Sequence, residues 1–153
     1  MVIDPTKTYR ATIQTSRGDI ELVLDAVDAP QTVNNFVFLS CQGFYDGLTF
    51  HRYEPGFVIQ GGDPLGLGNG GPGYVVPAEI SLPHIEGALA MARLSDQVNP
   101  QRDSSGSQFY ITLTATPFLD GAYTVFGQVT EGMDVVQAIR GSDTINRVVI
   151  TEE

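Results

Sequence analysis

The chain has 153 residues, 42% of them hydrophobic, and 18 acidic residues against 8 basic ones give it a formal net charge of -10 at pH 7. This charge argues against a nucleic acid or an anionic membrane surface as partner, because both would be repelled. The length suits one globular domain, so a single domain over residues 1–153 is predicted, and no apolar run is long enough to span a membrane.

The first predicted element is a β-hairpin. Polar and apolar residues alternate over 9–15 and again over 19–25, and Ser16-Arg17-Gly18 separates the two runs. Alternation on both sides of a short glycine-containing turn is typical of paired antiparallel strands. The residues of the second strand that would face the core are Ile20, Leu22 and Leu24.

A helix is predicted next, from Ala29 to Gly43. Pro30 suits its first turn, apolar residues follow helical spacing over 33–40, and glycine is a frequent helix end. Cys41 is the only cysteine, so no internal disulfide can form. We expect its side chain to pack at the end of this helix as a small hydrophobic group.

Short strands dominate the rest of the chain, which is rich in turn residues, with 17 glycines and 9 prolines. The predicted strands flank the Pro55-Gly56 turn and cover 88–93, 107–112, 123–129 and 145–151. A second helix is predicted over 131–140, and residues 95–105 should form a polar surface loop. Many short strands with only two helices favour a β-barrel whose open ends are covered.

Residues 50–63 place polar side chains on and beside a short strand. Alternation puts Val58 and Gln60 on one face of that strand and Phe57 and Ile59 on the other. In residues 106–111, the same alternation puts Gln108 and Tyr110 on one face. The opposite face then carries Ser107, Phe109 and Ile111.

An apolar groove edged by two glutamine amides and Arg52 would suit a peptide. It suits acid–base chemistry poorly, because none of these side chains need titrate. The two histidines, His51 and His84, lie far apart in the sequence and there is one cysteine, so no metal site is predicted. We expect His51 to be buried and hydrogen-bonded, and His84 to face solvent.

These stretches resemble the signature of the cyclophilins, the cyclosporin-binding peptidyl-prolyl isomerases. The order of the matching blocks is that of the family, and the likeness runs from about Thr8 to near the C-terminus. The matching blocks are Phe50-His51-Arg52, Gly56-Phe57, Gln60-Gly61-Gly62-Asp63, Gly106-Ser107-Gln108-Phe109, Leu119-Asp120-Gly121 and Phe126-Gly127.

The resemblance implies a mainly β fold: a closed eight-stranded antiparallel β-barrel capped by two α-helices, with the ligand groove outside the barrel. It implies an enzyme that rotates Xaa-Pro bonds and assists protein folding without a cofactor. Its partners would be proline-containing peptides and unfolded proteins. A monomer is expected, because no spare apolar stripe is evident. With no apolar segment of a secretory signal in residues 1–10, we expect a cytoplasmic protein.

By the same resemblance, the catalytic residues would be Arg52 and Gln60. Arg52 would donate a hydrogen bond to the prolyl nitrogen as the amide twists, and the Gln60 amide oxygen would hold the guanidinium group. The alternative for Arg52 is an ordinary surface salt bridge, with Glu54 as the nearest acidic residue in the sequence.

The resemblance also predicts a slot for the proline ring, lined by Phe57, Val58, Tyr110 and Leu119. Two of these positions differ from the usual family pattern. Val58 stands where Met is usual and shortens one wall. Tyr110 stands where Phe is usual, and its hydroxyl group needs water or a hydrogen-bond partner if it is buried.

The substrate backbone would be held by Ala92, Arg93 and Gln108. Ala92 belongs to a face of small residues with Ala88 and Ala90, which would let a peptide approach closely. Arg93 stands where Asn is common, so we expect its side chain to add a positive charge beside the groove.

Phe118 and Tyr123 would complete an aromatic wall. Phe118 stands where many eukaryotic members carry Trp, so weaker cyclosporin binding is expected. Two other classes of protein remain open at this point. One is a non-catalytic cyclophilin-like module that binds proline-containing partners, and the more distant one is an acidic sugar-binding barrel.

Overall fold

The computed structural model describes residues 2–153, and this part of the chain is mainly β. Eight strands form one antiparallel sheet, in the spatial order β3-β4-β6-β5-β7-β2-β1-β8. The strands are β1 Tyr9–Thr15, β2 Gly18–Leu24, β3 Arg52–Glu54, β4 Val58–Gly61, β5 Ala88–Met91, β6 Phe109–Thr112, β7 Val125–Glu131 and β8 Ile145–Glu152. The helices are α1 Pro30–Cys41 and α2 Met133–Ala138, with a 3-10 turn at Pro117–Leu119.

The predicted hairpin is confirmed as β1 and β2, which pair from Tyr9 opposite Leu24 to Thr15 opposite Gly18. Gly18 joins the second strand, so the turn is one residue shorter than predicted. The three residues expected to face the core, Ile20, Leu22 and Leu24, are all buried.

Both predicted helices form, and the residue before or at each start explains where the helix begins. Helix α1 begins at Pro30 and ends at Cys41, one residue later and two residues earlier than predicted, and Val33 and Phe36 on its inner side are fully buried. Helix α2 is shorter than predicted, because β7 continues through Glu131 and Gly132 then adopts φ 90° before the helix begins. A left-handed residue at this point favours glycine and separates the strand from the helix.

Strand alternation divides the apolar side chains between two faces of the sheet. One face belongs to the main core, which includes Ile59, Leu89, Phe109 and Ile111. The other carries a second cluster of buried residues, composed of Val58, Ala88, Ala90, Tyr110 and Val125. The second cluster lies on the side of the sheet that carries the candidate site.

The two edges of the sheet approach each other just before β3 and β8. A single bridge joins Thr49 to Thr144, and Phe50 N–H donates to the Asp143 carbonyl oxygen at 2.8 Å. Within the described residues, β3 and β8 themselves form no ladder. The antiparallel eight-stranded architecture is therefore established, whereas full closure of the barrel stays a prediction.

Cys41 is solvent-exposed at the end of α1, so the expectation that it packs as a hydrophobic group is wrong. Over residues 2–153, no helix combines the length and apolar character that a membrane span requires.

Candidate active site

A small cavity of about 150 Å³ opens on the face of the sheet that carries the second cluster. Its lining comes from strands β3, β4 and β6, from the segment after β5, and from the 3-10 turn and the residues that follow it. Nine of the eleven predicted site residues line it: Arg52, Phe57, Val58, Gln60, Ala92, Arg93, Tyr110, Leu119 and Tyr123. Gln108 and Phe118 do not line it.

Arg52 and Gln60 face each other across β3 and β4, where they are directly paired. The Arg52 guanidinium donates through Nη1 to Gln60 Oε1 at 3.3 Å, and its Nε lies 3.4 Å from Glu54 Oε1. Both contacts expected for Arg52 are thus present together. Because the Arg52–Glu54 pair is about half exposed, we assign it little stabilising effect.

A chain of amide hydrogen bonds runs behind Arg52. Gln60 Nε2 donates to Gln108 Oε1 at 3.0 Å, and Gln108 Nε2 donates to the Gly70 carbonyl oxygen at 2.9 Å. Gln108 is buried and lies behind Gln60 rather than in the cavity wall. It is therefore placed to orient Gln60, which in turn orients the guanidinium group.

Phe57 lies in the turn before β4, so the strand alternation applied to it fails. As the resemblance predicted, and contrary to the alternation, its ring lines the cavity with Val58 and does not join Ile59 in the core. It stacks on Phe118 with 5.7 Å between ring centroids. Phe118 is 72% exposed, so it extends an aromatic surface outside the cavity.

Tyr110 is 5% exposed, and its hydroxyl group has the hydrogen-bond partner that burial demands. That partner is His84, whose Nε2 lies 2.7 Å from the hydroxyl oxygen. Burial raises the pKa of Tyr110, so the hydroxyl stays protonated. His84 is only 2% exposed, which overturns the expectation that it faces solvent.

Arg93 lines the cavity, so it does place a positive charge beside the groove, but this charge is buried and paired. Its side chain is 6% exposed, and Nη1 lies 3.0 Å from Asp96 Oδ1. Its guanidinium carbon lies 4.4 Å from the centroid of the Tyr123 ring, and its Nε donates to the Ala122 carbonyl oxygen at 2.7 Å. The guanidinium group is paired with Asp96, and the side chain packs against the Tyr123 wall.

Asp96 and Arg102 come from the 95–105 loop, whose contribution to the site was not foreseen. Arg102 donates to Asp96 through Nε at 3.2 Å and Nη2 at 3.1 Å, and to the Gly121 carbonyl oxygen through Nη1 at 2.7 Å. The hydrogen bond from Arg102 lowers the pKa of Asp96. Two arginines joined by one carboxylate therefore hold consecutive carbonyl groups of the segment between Leu119 and Tyr123.

Two further expectations need correction. Ala88 and Ala90 do form a face of small residues, but both are 0% exposed, so no peptide can lie on them. Ala92 alone of the three reaches the cavity. His51 is only partly buried, and its Nδ1 has no hydrogen-bond partner among the described residues, so it is not the hydrogen-bonded core residue expected.

His84, Asp96, Arg102 and Asp120 were not among the predicted site residues. One signal was available, since a buried Tyr110 needs a hydrogen-bond partner. Its partner could not be located without the fold, because His84 is separated from Tyr110 by 26 positions. Across residues 2–153, no group of three or more His, Cys, Asp or Glu side chains is placed to hold a metal ion.

Comparisons with a family model and with individual relatives point to the same family. The family described as cyclophilin type peptidyl-prolyl cis-trans isomerase/CLD matches residues 10–153. A peptidyl-prolyl cis-trans isomerase of Synechococcus elongatus is 48% identical over 147 residues, covering 94% of this chain and 97% of the relative. One from Helicobacter pylori is 43% identical over 166 residues, covering 98% of each chain.

Among solved structures, a cyclophilin type peptidyl-prolyl cis-trans isomerase of Cryptosporidium parvum matches with a TM-score of 0.86 and 31% identity, covering 95% of this chain and 99% of its own. A second structure of that protein was determined in the presence of the dipeptide Ala-Pro and matches with a TM-score of 0.84, covering 94% of this chain and 99% of that one.

Proposed function

The chain belongs to the cyclophilin-type peptidyl-prolyl cis-trans isomerases, and we propose that its 150 Å³ cavity holds the proline ring while Arg52 stabilises the twisted amide. The observation that carries this proposal is the position of Arg52. A guanidinium group oriented by Gln60 lies at the edge of a small cavity with aromatic and aliphatic walls.

Rotation about an Xaa-Pro bond meets a barrier of roughly 18–20 kcal/mol, because the planar amide loses its resonance as it twists. At the twisted geometry, the proline nitrogen regains a lone pair. A hydrogen-bond donor directed at that lone pair stabilises the transition state more than either planar ground state, which is the condition for catalysis.

Arg52 supplies that donor. It carries five N–H groups in a rigid fork, so it can donate to Gln60 Oε1 through Nη1 and still offer N–H groups to the substrate. The amide chain through Gln108 limits the positions that Gln60, and hence Arg52, can take. A preoriented donor needs little reorganisation during the reaction.

The cavity walls hold the ring. Phe57, Val58, Tyr110 and Leu119 present the apolar surface, and the buried hydroxyl of Tyr110 is satisfied by His84, so the polar atom does not disrupt the slot. The substrates are proline-containing peptides. The relative determined in the presence of Ala-Pro supports this class of ligand.

The test is a proline-isomerisation assay on a short peptide with a single Xaa-Pro bond. Acceleration of cis-to-trans conversion, abolished when a second peptide with the same proline competes for the slot, supports the proposal. A folded protein that binds the peptide but does not accelerate the conversion would instead identify a proline-binding module.

Removing the carboxylate of Asp96 should weaken substrate binding. In Asp96→Ala, the guanidinium groups of Arg93 and Arg102 lose their shared partner and repel each other, so the Tyr123 wall loses its support. We expect KM to rise by about three- to tenfold with kcat little changed, since the wall contacts ground state and transition state alike. Steady-state kinetics measures this split, and an unchanged KM contradicts it. Asp134→Ala, at the first turn of α2 and away from the cavity lining, is the control.

Phe118→Trp should strengthen inhibition by cyclosporin. The indole adds an N–H donor that phenylalanine lacks, on an exposed surface beside Phe57. One net hydrogen bond of about 1 kcal/mol predicts a fall of roughly fivefold in the inhibition constant. Equal inhibition constants for the two proteins would contradict the role given to Phe118.

A further inference from the structure

His84 joins the floor of the cavity to one of its side walls. Its ring is buried, and its two nitrogens have different partners: Nε2 lies 2.7 Å from the Tyr110 hydroxyl oxygen, and Nδ1 lies 2.9 Å from Asp120 Oδ1. Asp120 directly follows Leu119, which lines the cavity. The three side chains Tyr110, His84 and Asp120 therefore form one hydrogen-bonded relay beneath the proposed slot.

The backbone around His84 is held as firmly as the ring. Its N–H donates to the same Asp120 Oδ1 at 2.7 Å, and its carbonyl oxygen accepts from Thr116 N–H at 2.9 Å. Both partners belong to the segment that carries the 3-10 turn. These contacts leave the imidazole little freedom to move relative to Leu119.

The chemistry of the partners fixes which nitrogen carries the proton. The hydrogen bonds from His84 lower the pKa of Asp120, which is therefore ionised near neutral pH and can only accept. Nδ1 must then donate to Asp120. In the neutral ring this leaves Nε2 as an acceptor, and the Tyr110 hydroxyl donates to it. With the ring neutral, the two hydrogen bonds of the relay can run in only this one direction.

The aromatic rings of His84 and Tyr123 both pack against the ring of Tyr110. His84 stacks on Tyr110 with an interplanar angle of 8° and 5.9 Å between centroids, and Tyr123 meets Tyr110 edge-on at 5.9 Å. Tyr123 also packs edge-on against His84 at 6.3 Å. A shift of the imidazole would therefore disturb Tyr110 and Tyr123, two of the three aromatic residues that line the cavity.

We propose that His84 is a positioning residue for the isomerase: through Nε2 it fixes the Tyr110 ring against the bound proline, and Asp120 fixes the orientation of the imidazole through Nδ1. This inference rests on the proposed function, because it takes the cavity as the proline slot. It assigns His84 no contact with the substrate, and it makes the need for His84 depend on the hydroxyl group of Tyr110.

That dependence defines the experiment. His84→Leu is compared in two backgrounds, the natural protein and Tyr110→Phe, with kcat and KM measured for one short proline-containing peptide. In the natural background, the buried Tyr110 hydroxyl loses its partner, and KM should rise by roughly tenfold with a smaller change in kcat. In the Tyr110→Phe background there is no hydroxyl to satisfy, and the same substitution should change KM by less than about threefold.

Ile85→Ala is the matched control. Ile85 follows His84 in the same loop, and its side chain is half exposed and does not line the cavity. This control should leave KM within about twofold of the natural protein, as expected for an exposed side chain outside the site. A loss of equal size in both backgrounds would show that His84 serves only general packing, and would overturn the proposal.

The natural protein supplies a second readout that does not depend on a variant of His84 or Tyr110. The ¹⁵N chemical shifts of the His84 ring report which nitrogen is protonated, with His51→Gln used to assign the two histidines. A neutral ring with its proton on Nδ1 and none on Nε2 supports the relay. A neutral ring with its proton on Nε2 overturns it.

Failure of this proposal is distinguishable from failure of the proposed function. If the cavity is not the proline slot, the natural protein lacks isomerase activity or keeps it in Arg52→Ala. If only the positioning role is wrong, the natural protein is active, Arg52→Ala is not, and His84→Leu has the same effect in both backgrounds.

Discussion

Arg52→Ala is expected to lose isomerase activity by roughly a hundred- to a thousandfold while the protein stays folded. In the proposed mechanism, the lost interaction is a charge-assisted hydrogen bond to the twisted nitrogen, of about 2–4 kcal/mol by comparison with the loss of an oxyanion-hole donor. The side chain is 45% exposed, so its removal leaves no cavity in the core and should change the free energy of unfolding by less than about 1 kcal/mol. Isomerisation kinetics and thermal unfolding of the same variant measure the two effects.

The loss should appear mainly in kcat, because the hydrogen bond to the nitrogen forms only as the amide twists. Arg52→Lys should recover little activity, since one ammonium group cannot both pair with Gln60 and reach the nitrogen in a fixed geometry. Glu54→Gln is the matched control, as it removes the negative charge of the other partner of Arg52 and keeps the Gln60 contact. A folded Arg52→Ala protein with natural turnover would refute the assigned role.

Asp63→Ala is expected to destabilise the fold by about 3 kcal/mol. Asp63 is 1% exposed, and its carboxylate accepts backbone N–H groups from Leu65 at 2.8 Å, Leu67 at 2.9 Å and Asn69 at 3.1 Å, and also from Gly68. Removing the acceptor leaves several donors of one loop unpaired, and hydrogen bonds to a charged group contribute about 1.5–3 kcal/mol each. Part of the loss is offset because the loop can relax into solvent.

Chemical denaturation measures this change, and Asp28→Ala, at an exposed aspartate, should shift the free energy of unfolding by less than about 0.5 kcal/mol. Equal stability of Asp63→Ala and the natural protein would contradict the role of the carboxylate. Activity should fall as well, because the Gly70 carbonyl oxygen that holds Gln108 belongs to the same loop.

The same carboxylate predicts a dependence on pH. Burial by itself raises the pKa of Asp63, but the N–H groups of the loop outweigh it, so the pKa is lowered from its ordinary value of 3.8. A carboxylate with a lowered folded-state pKa stabilises the protein above its unfolded pKa, and this stabilisation is lost as the pH falls through the folded value. The stability difference between the natural protein and Asp63→Asn should therefore be constant above about pH 5 and shrink in acid.

The sequence by itself determined the strands and helix α1, because these features depend on local physics. Most of the lining of the candidate site was indicated by the resemblance to the cyclophilins, and strand alternation placed only part of it. Alternation along β6 puts Tyr110 on the opposite face from Phe109 and Ile111. Pro30 favours the first turn of α1 because its ring fixes φ near the helical value and the N–H group it lacks has no partner there. The boundary errors have local causes too, as when Gly132 ends β7 and delays α2.

Only the tertiary structure decided the environment of individual polar side chains. His84 is buried because Tyr110 and Asp120 reach it from positions 26 and 36 residues away. Arg93 is buried and paired because the 95–105 loop places Asp96 against it, and Arg102 joins Asp96 to the Gly121 carbonyl oxygen. Strand alternation tells which side of a sheet a residue faces. It does not tell which distant segment covers that side, and burial and charge pairing depend on that segment.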